Sequence, residues 1–131
     1  MNDTFYTIGY EASSIEDFVE TLRQADIDLL VDIRDFPGSR KKGFSKNTLA
    51  NILASFGIDY VHLKGLGDPK PGREAARAGE HDKFVQIFTE HMRTSEAQTD
   101  LEKAIELVQD NKSCLLCYEN VIKLLHLISL F

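Results

Sequence analysis

The sequence predicts an α/β fold of the Rossmann-like kind: three layers, with a mainly parallel sheet of about four strands flanked by helices. Short strand-like runs alternate with segments of helical apolar spacing, which is the pattern of βα units joined into a parallel sheet. The run Ile27–Ile33 is almost continuously apolar, as expected for a strand covered by helices on both faces. With 131 residues, 43% of them hydrophobic, the chain can bury a core without a metal or disulfide. We therefore expect one domain over residues 1–131.

The elements follow in order from the same patterns. A first strand, Phe5–Ile8, precedes a helix capped by Ser13 or Ser14, and Ile27–Ile33 is the second strand. Residues 62–79 contain four glycines and two prolines and predict a long loop. The other elements are a helix capped by Ser45 and stopped by Gly57, a strand over Ile58–Val61, helices around Phe84–Phe88 and Leu101–Val108, and a last strand over Ser113–Tyr118.

Charge and composition exclude several classes of protein. The net charge of −6 argues against a protein that coats nucleic acid, because such proteins carry a basic excess. Two cysteines are too few for a secreted disulfide framework, and the polar start of the chain does not read as a signal peptide. The longest apolar stretch, Leu124–Phe131, is far shorter than the ~20 residues of a membrane span. We expect a cytoplasmic protein with no membrane association.

Candidate site residues follow the predicted strands. Ligands of open α/β sheets bind at the carboxyl ends of the strands. The residues that reach this edge are Gly9 and Tyr10 after the first strand, Arg34 after the second, His62 after the third, and Cys117 and Glu119 at the last. Tyr10 and Tyr60 can stack on a planar ligand, although aromatic residues near strand ends usually belong to the core.

A cluster of basic residues indicates an anion site at this edge. Eight of the 15 basic residues lie within residues 34–73, and they are Arg34, Arg40, Lys41, Lys42, Lys46, Lys64, Lys70 and Arg73. Arginine offers a planar fork of donors that fits phosphate or carboxylate, and Ser39 adds a neutral donor. We expect Arg34, Ser39 and Arg40 to bind a small anionic ligand or nucleic acid. The alternative is a solvated basic loop in which Arg34 pairs with Asp35 or Asp32.

The two cysteines form a C-x-x-C pair, Cys114 and Cys117, on a predicted strand. Residues three apart on a strand face opposite sides, which argues against a disulfide or zinc site, and no metal or cofactor is expected. Cys117 alone is a candidate nucleophile, and Glu119 is a candidate general base or a carboxylate that orients the ligand. The alternatives are a buried small hydrophobe for Cys117 and an ion pair for Glu119.

Six segments in order resemble one family. They are Thr7-Ile8-Gly9-Tyr10-Glu11, Leu30-Val31-Asp32-Ile33-Arg34, Pro37-Gly38-Ser39-Arg40 with Gly43-Phe44-Ser45, Gly57-Ile58-Asp59-Tyr60, Leu66-Gly67, and Cys114-Leu115-Leu116-Cys117-Tyr118-Glu119. Together they resemble the domain of unknown function 488 family, a group of small, mostly prokaryotic proteins. The resemblance implies a compact α/β fold, a leaning toward nucleotide or nucleic-acid metabolism and no established reaction. The site residues that it implies are Gly9, Arg34, Ser39, Arg40, Tyr60, Cys117 and Glu119.

The end of the chain departs from that family. The resemblance implies Cys-His-Arg at the start of a final helix, whereas this sequence has Leu125-His126-Leu127. A site that needs the missing cysteine and arginine would be impaired, so the sequence does not decide whether this protein is an enzyme. The apolar end Leu124–Phe131 needs cover, and a homodimer through this tail is one way to provide it.

Three functions remain open from the sequence. The first is an enzyme acting on a phosphate-bearing substrate such as a nucleotide or a nucleic-acid end. The second is a regulatory module that binds an anionic partner without chemistry. The third is a thiol-based sulfur or redox enzyme of the rhodanese kind, which needs a reactive Cys117.

Overall fold

The computed structural model describes residues 6–9, 13–35, 37–38 and 41–117. Four parallel strands form one sheet in the order β1-β4-β2-β3. The strands are β1 Tyr6–Gly9, β2 Leu29–Asp32, β3 Asp59–His62 and β4 Ser113–Cys117. The helices of this part of the chain are α1 Ile15–Gln24, α2 Lys46–Ala54, α3 Lys70–Arg77, α4 His81–Met92 and α5 Ser95–Asp110. The predicted three-layer α/β fold is confirmed.

Two hydrophobic cores lie on opposite faces of the sheet. One core joins α1 and α2 to the sheet and contains Phe18, Leu49 and Leu30. The other joins α3, α4 and α5 to the sheet and contains Phe88 and Val31. Successive residues of β2 alternate between the two cores, and all four are buried. This double cover explains the nearly continuous apolar run in the sequence of that strand.

The ends of the first two helices agree with the predicted capping signals. Ser14, and not Ser13, is the cap of α1, and its hydroxyl accepts a hydrogen bond of 3.1 Å from the amide of Asp17. Ser45 stands at the N-cap of α2. Gly57 follows that helix with a φ of +75°, a conformation that glycine adopts without strain.

The prediction of a long loop over residues 62–79 was wrong. This segment contains a short 3₁₀ helix, Lys64–Leu66, and the α-helix Lys70–Arg77. Pro71 lies in the first turn of that helix, where a missing amide proton breaks no helical hydrogen bond. Gly79, with a φ of +75°, lies just beyond the end of the helix. Pro71 and Gly79 therefore stand at the two ends of this helix, whereas Gly65 and Gly72 lie within the two short elements.

No helix among the described residues is long and apolar enough to cross a membrane. The altered triplet Leu125-His126-Leu127 and the apolar tail Leu124–Phe131, with the homodimer expected through it, lie outside the described residues.

Gly43 allows the loop before α2 to rest on α1, and its replacement provides a test of this packing. Its φ is +88°, and a Cβ atom there would lie 2.6 Å from Cγ1 of Ile15. We expect Gly43→Ala to lower the free energy of unfolding by roughly 3 kcal/mol, because backbone strain adds to a steric clash. Gly57→Ala is the matched control, since it has a similar φ and open space around it in the described structure. It should cost only about 1 kcal/mol in urea unfolding. Equal losses would show that the Ile15 contact is unimportant.

Candidate ligand-binding site

The carboxyl ends of the four strands meet at one edge of the sheet. Gly9 at the end of β1 is in register with Cys117 at the end of β4. Asp32 at the end of β2 is in register with Leu116 of β4 and with His62 of β3. Of the predicted site residues, the structure thus brings Gly9 and the backbone of Cys117 side by side, and Arg34 follows the end of β2. Tyr10, Ser39, Arg40 and Glu119 lie outside the described residues.

A buried ion pair stands at the end of β2. Nε of Arg34 donates to Oδ1 of Asp32 at 2.8 Å, and Nη2 donates to Oδ2 at 2.7 Å. The guanidinium therefore binds the carboxylate through two parallel hydrogen bonds. Both side chains are 0% exposed. The backbone amide of Arg34 also donates to Oδ1, at 3.1 Å, and Nη1 donates to the carbonyl oxygen of Phe44, at 2.8 Å. Of the two ion-pair partners considered for Arg34, the structure shows Asp32.

Tyr60 completes the coordination of the same carboxylate. Its hydroxyl donates a short hydrogen bond to Oδ2 of Asp32. Burial raises the pKa of Tyr60 well above its ordinary value, the hydrogen bond and the negative charge of Asp32 raise it further, and Arg34 opposes the shift. The phenol therefore stays protonated at neutral pH and acts as a hydrogen-bond donor.

His62 holds the backbone of Arg34. Its Nε2 lies 2.7 Å from the carbonyl oxygen of Arg34. Because a carbonyl oxygen only accepts hydrogen bonds, Nε2 carries a proton in this contact. Arg34 is thus fixed through its side chain by Asp32 and through its backbone by His62.

Asp32 was predicted only as one possible ion-pair partner of Arg34, and His62 only as a residue at the carboxyl end of β3, although both belong to this cluster. A signal for Asp32 was present, since it is a charged residue inside the apolar run Ile27–Ile33. A charge in such a strand is buried, and a buried charge requires a partner. Arg34 is two residues further along and so points to the same face of the strand as Asp32, which made it the nearest candidate for this partner. His62 offered no comparable signal, because its contact is with a backbone atom.

The segment that follows β2 is also fixed from the other face of the sheet. Nη1 of Arg73, on α3, lies 3.2 Å from Oδ2 of Asp35 and donates to the carbonyl oxygen of Asp68 at 2.8 Å. Gly67 packs directly on Asp35, because a Cβ atom at Gly67 would lie 2.3 Å from the Asp35 amide nitrogen. The loop after β3 is therefore packed tightly against the exit of β2.

The loop after β3 is itself anchored by the helices beneath it. The amide of Gly65 donates to Oδ2 of Asp100 on α5, at 2.7 Å. Nε2 of His91, on α4, lies 2.7 Å from the carbonyl oxygen of Gly65 and donates to it. These two hydrogen bonds connect the carboxyl edge to α4 and α5.

The basic residues of the predicted cluster divide into two groups. Arg34 and Arg73 are held in ion pairs with Asp32 and Asp35. The exposed lysines are Lys42, Lys46, Lys64 and Lys70, whereas Lys41 is partly buried, with its Nζ 5.4 Å from the ring centroid of Phe44. Among the described residues of this cluster, the exposed positive charges are therefore those of the lysines, since Arg34 and Arg73 are paired with carboxylates.

Two helices begin at this edge with basic first turns. The first turn of α2 is Lys46-Asn47-Thr48, and that of α3 is Lys70-Pro71-Gly72. By contrast, α1 begins with Glu16 and Asp17. The amino end of a helix carries a partial positive charge, so a cation there adds to a field that attracts anions.

Cys114 behaves as a small hydrophobic residue, 2% exposed in the core beneath α1 and α2. No group of three or more histidine, cysteine, aspartate or glutamate side chains among the described residues could hold a metal ion. The side chain of Cys117 and the whole of Glu119, for which chemical roles were predicted, lie outside the described part of the structure.

Together, the fold and the cluster define a small parallel α/β protein with a buried polar network and exposed lysines at the carboxyl edge of its sheet. The sequence profile of the family described as "Domain of unknown function DUF488" matches residues 14–127, and the chain belongs to this family. This confirms the resemblance that the six sequence segments indicated. No curated protein matches the chain, and no solved structure matches it.

The ionisation of Tyr60 predicts a change of stability at alkaline pH. Because its pKa in the folded protein is above the unfolded value of about 10, its contribution is fully present below pH 10 and decreases as the pH rises further. The difference in unfolding free energy between wild type and Tyr60→Phe should therefore shrink above pH 10, by up to ~1.4 kcal/mol per pH unit. Urea unfolding from pH 8 to 11 measures this difference. Tyr6→Phe, at a half-exposed ring, controls for the loss of a phenol, and a pH-independent difference for Tyr60→Phe would contradict the assignment.

The Asp32–Arg34 pair should be far more sensitive to substitution than the Asp35–Arg73 pair at the same edge. Asp32→Asn leaves a buried guanidinium without its countercharge, and we expect a loss of about 3 kcal/mol in unfolding free energy. Asp35→Asn is the matched control, because its side chain is 25% exposed and paired at 3.2 Å. Its cost should be below about 1 kcal/mol. Comparable losses in chemical denaturation would mean that burial does not set the importance of these pairs.

Proposed function

We propose that this protein binds a phosphate-bearing anion, such as a nucleotide or a nucleic-acid end, at the carboxyl edge of the sheet. The observation that carries the proposal is the pair of basic first turns on α2 and α3. Cations at the amino end of a helix oppose the helix dipole and cost about 0.3–1 kcal/mol each. An anionic ligand between them would turn this cost into binding energy.

The two helix starts flank one short segment of backbone, which supports a single site. The amide of Lys46, in the first turn of α2, donates to the carbonyl oxygen of Pro37 at 2.9 Å. Arg73, near the start of α3, pairs with Asp35 at 3.2 Å. Both helices thus present their amino ends to the backbone leaving β2, from opposite faces of the sheet. A ligand above this segment would meet the positive ends of both helices.

The predicted residues take the following places in the proposed site. Gly9 offers backbone without a side chain, Tyr60 and Arg34 lie at its base, and Tyr10, Ser39 and Arg40 are proposed to complete it. Cys117 as nucleophile and Glu119 as general base would carry any reaction. Without them, the same surface would serve a regulatory protein that recognises an anionic partner.

Charge reversal at the two helix starts tests the proposal. The double variant Lys46→Glu with Lys70→Glu should keep or slightly increase the free energy of unfolding, because glutamate suits the first turn of a helix. It should nevertheless abolish most of the rise in melting temperature that AMP, pyrophosphate and a 5′-phosphorylated oligonucleotide cause in the wild type. A ligand at 100 times its Kd stabilises a protein by about 2.7 kcal/mol, which is several degrees for a domain of this size.

The control for this experiment changes the same charge elsewhere. Lys83→Glu with Lys103→Glu alters two exposed lysines on α4 and α5 and should leave the ligand-induced shift intact. If none of the three phosphate probes stabilises the wild type, the proposed function is wrong. If both double variants lose the ligand-induced rise in melting temperature to the same extent, the net charge of the protein explains the loss. That result would also count against the site.

A further inference from the structure

Arg34 also donates a hydrogen bond outside its ion pair. Nε and Nη2 face Asp32, whereas Nη1 donates to the carbonyl oxygen of Phe44 at 2.8 Å. Residue 44 is ten positions further along the chain and lies just before α2. The guanidinium therefore joins the end of a buried strand to the start of a helix.

Phe44 in turn anchors a basic segment, Lys41–Lys46, to the core. Its ring is 0% exposed and packs edge-on against Phe18 of α1, with centroids 5.0 Å apart. Its amide donates to the carbonyl oxygen of Lys41 at 3.1 Å, and Nζ of Lys41 lies 5.4 Å from its ring centroid. Lys42 and Lys46 are exposed on either side of this buried residue. The position of Phe44 consequently decides where these lysines stand.

We infer that Arg34 is a positioning residue of the anion site and does not touch the ligand. It holds the carbonyl of Phe44 and so places the segment Lys41–Lys46, while Asp32 and Tyr60 hold Arg34. With its side chain 0% exposed and its forked face on Asp32, the guanidinium can meet a ligand only if this network opens. The inference rests on the proposed function for the role of the lysines, whereas the contact between Arg34 and Phe44 can be tested without a ligand.

The substitution Arg34→Lys distinguishes a positioning role of Arg34 from a direct contact between Arg34 and the ligand. Lysine keeps the positive charge beside Asp32, but a single ammonium cannot reproduce a fork that spans both Asp32 and the Phe44 carbonyl. A direct electrostatic contact with a phosphate would survive this change in large part. The placement of the segment Lys41–Lys46 would not survive it.

Limited trypsin digestion of the full chain under native conditions measures the placement, because trypsin cleaves after Lys41, Lys42 and Lys46. The quantity to compare is the initial cleavage rate at these three sites divided by the rate after Lys103 in the same sample, which reports global unfolding. Arg34→Lys should raise this ratio about tenfold, as expected when a charge-assisted hydrogen bond that restrains the segment is lost. Arg73→Lys, the same substitution in the other arginine ion pair of this edge, should leave the ratio unchanged.

Pyrophosphate binding, measured by calorimetry, provides the second readout. Arg34→Lys should weaken binding about tenfold although the charge is kept, and Arg73→Lys should bind as the wild type does. An unchanged cleavage ratio in folded Arg34→Lys would overturn the inference. The inference would also be wrong if trypsin cleaved the segment Lys41–Lys46 of the native wild type as fast as it cleaves the denatured chain. If Arg34→Lys does not fold, Asp32→Asn takes its place, with a rise in the ratio expected and an unchanged ratio again contradicting the inference.

The two readouts distinguish failure of the inference from failure of the proposed function. A raised cleavage ratio without any pyrophosphate binding in the wild type would leave Arg34 as the anchor of the segment and remove the anion site. Pyrophosphate binding that is equal in wild type and Arg34→Lys, with an unchanged ratio, would keep the anion site and refute the positioning role.

Discussion

The geometry of the carboxyl edge depends on one buried ion pair, Asp32–Arg34. Moving a carboxylate or a guanidinium out of water costs several kcal/mol, and this cost is recovered only where further hydrogen bonds satisfy the groups. Asp32 accepts from the Arg34 side chain, from the Arg34 amide and from Tyr60, while Arg34 also donates to Phe44. Two strands and the loop before α2 therefore share one hydrogen-bond network.

A second, weaker set of contacts aligns the opposite face with this network. The residue after Arg34 is Asp35, which meets Arg73 of α3 through its side chain and Gly67 through its backbone. The backbone between Asp32 and Asp35 is thus held from both faces of the sheet. This arrangement gives the exit of β2 a fixed position, which a binding site on neighbouring loops requires.

The sequence was a good guide to the fold where burial alone determines structure. The apolar run Ile27–Ile33 identified the doubly covered strand, and Ser14 and Ser45 were found at the starts of two helices. It failed over residues 62–79, because Pro71 and Gly79 were read as breaking a helix when they stand at its two ends. Local propensity does not reveal on which side of a boundary such a residue lies. The strand order β1-β4-β2-β3 depends on contacts between distant segments and has no local signal.

For the candidate site, the sequence predicted the edge of the sheet but not the partners within it. Arg34 was selected as a member of a basic cluster, and its neighbour Asp32 was treated mainly as an alternative that would make Arg34 structural. Under the proposed function, these two descriptions are not exclusive. A neutralised arginine can still serve a ligand site if the backbone that it holds carries the charges.

That distinction also bears on the proposal that an acidic protein binds an anion at this edge. An ion pair such as Asp32–Arg34 has no net charge and a short-ranged field, so it does little to draw an anion from solution. Exposed lysines lie at the amino ends of α2 and α3, where a positive charge adds to the field of the helix dipole. In the proposed anion site, the buried arginine supplies rigidity and the exposed lysines supply attraction. Counting the basic residues in the sequence cannot separate these two contributions, because it gives Arg34 and Lys46 the same weight.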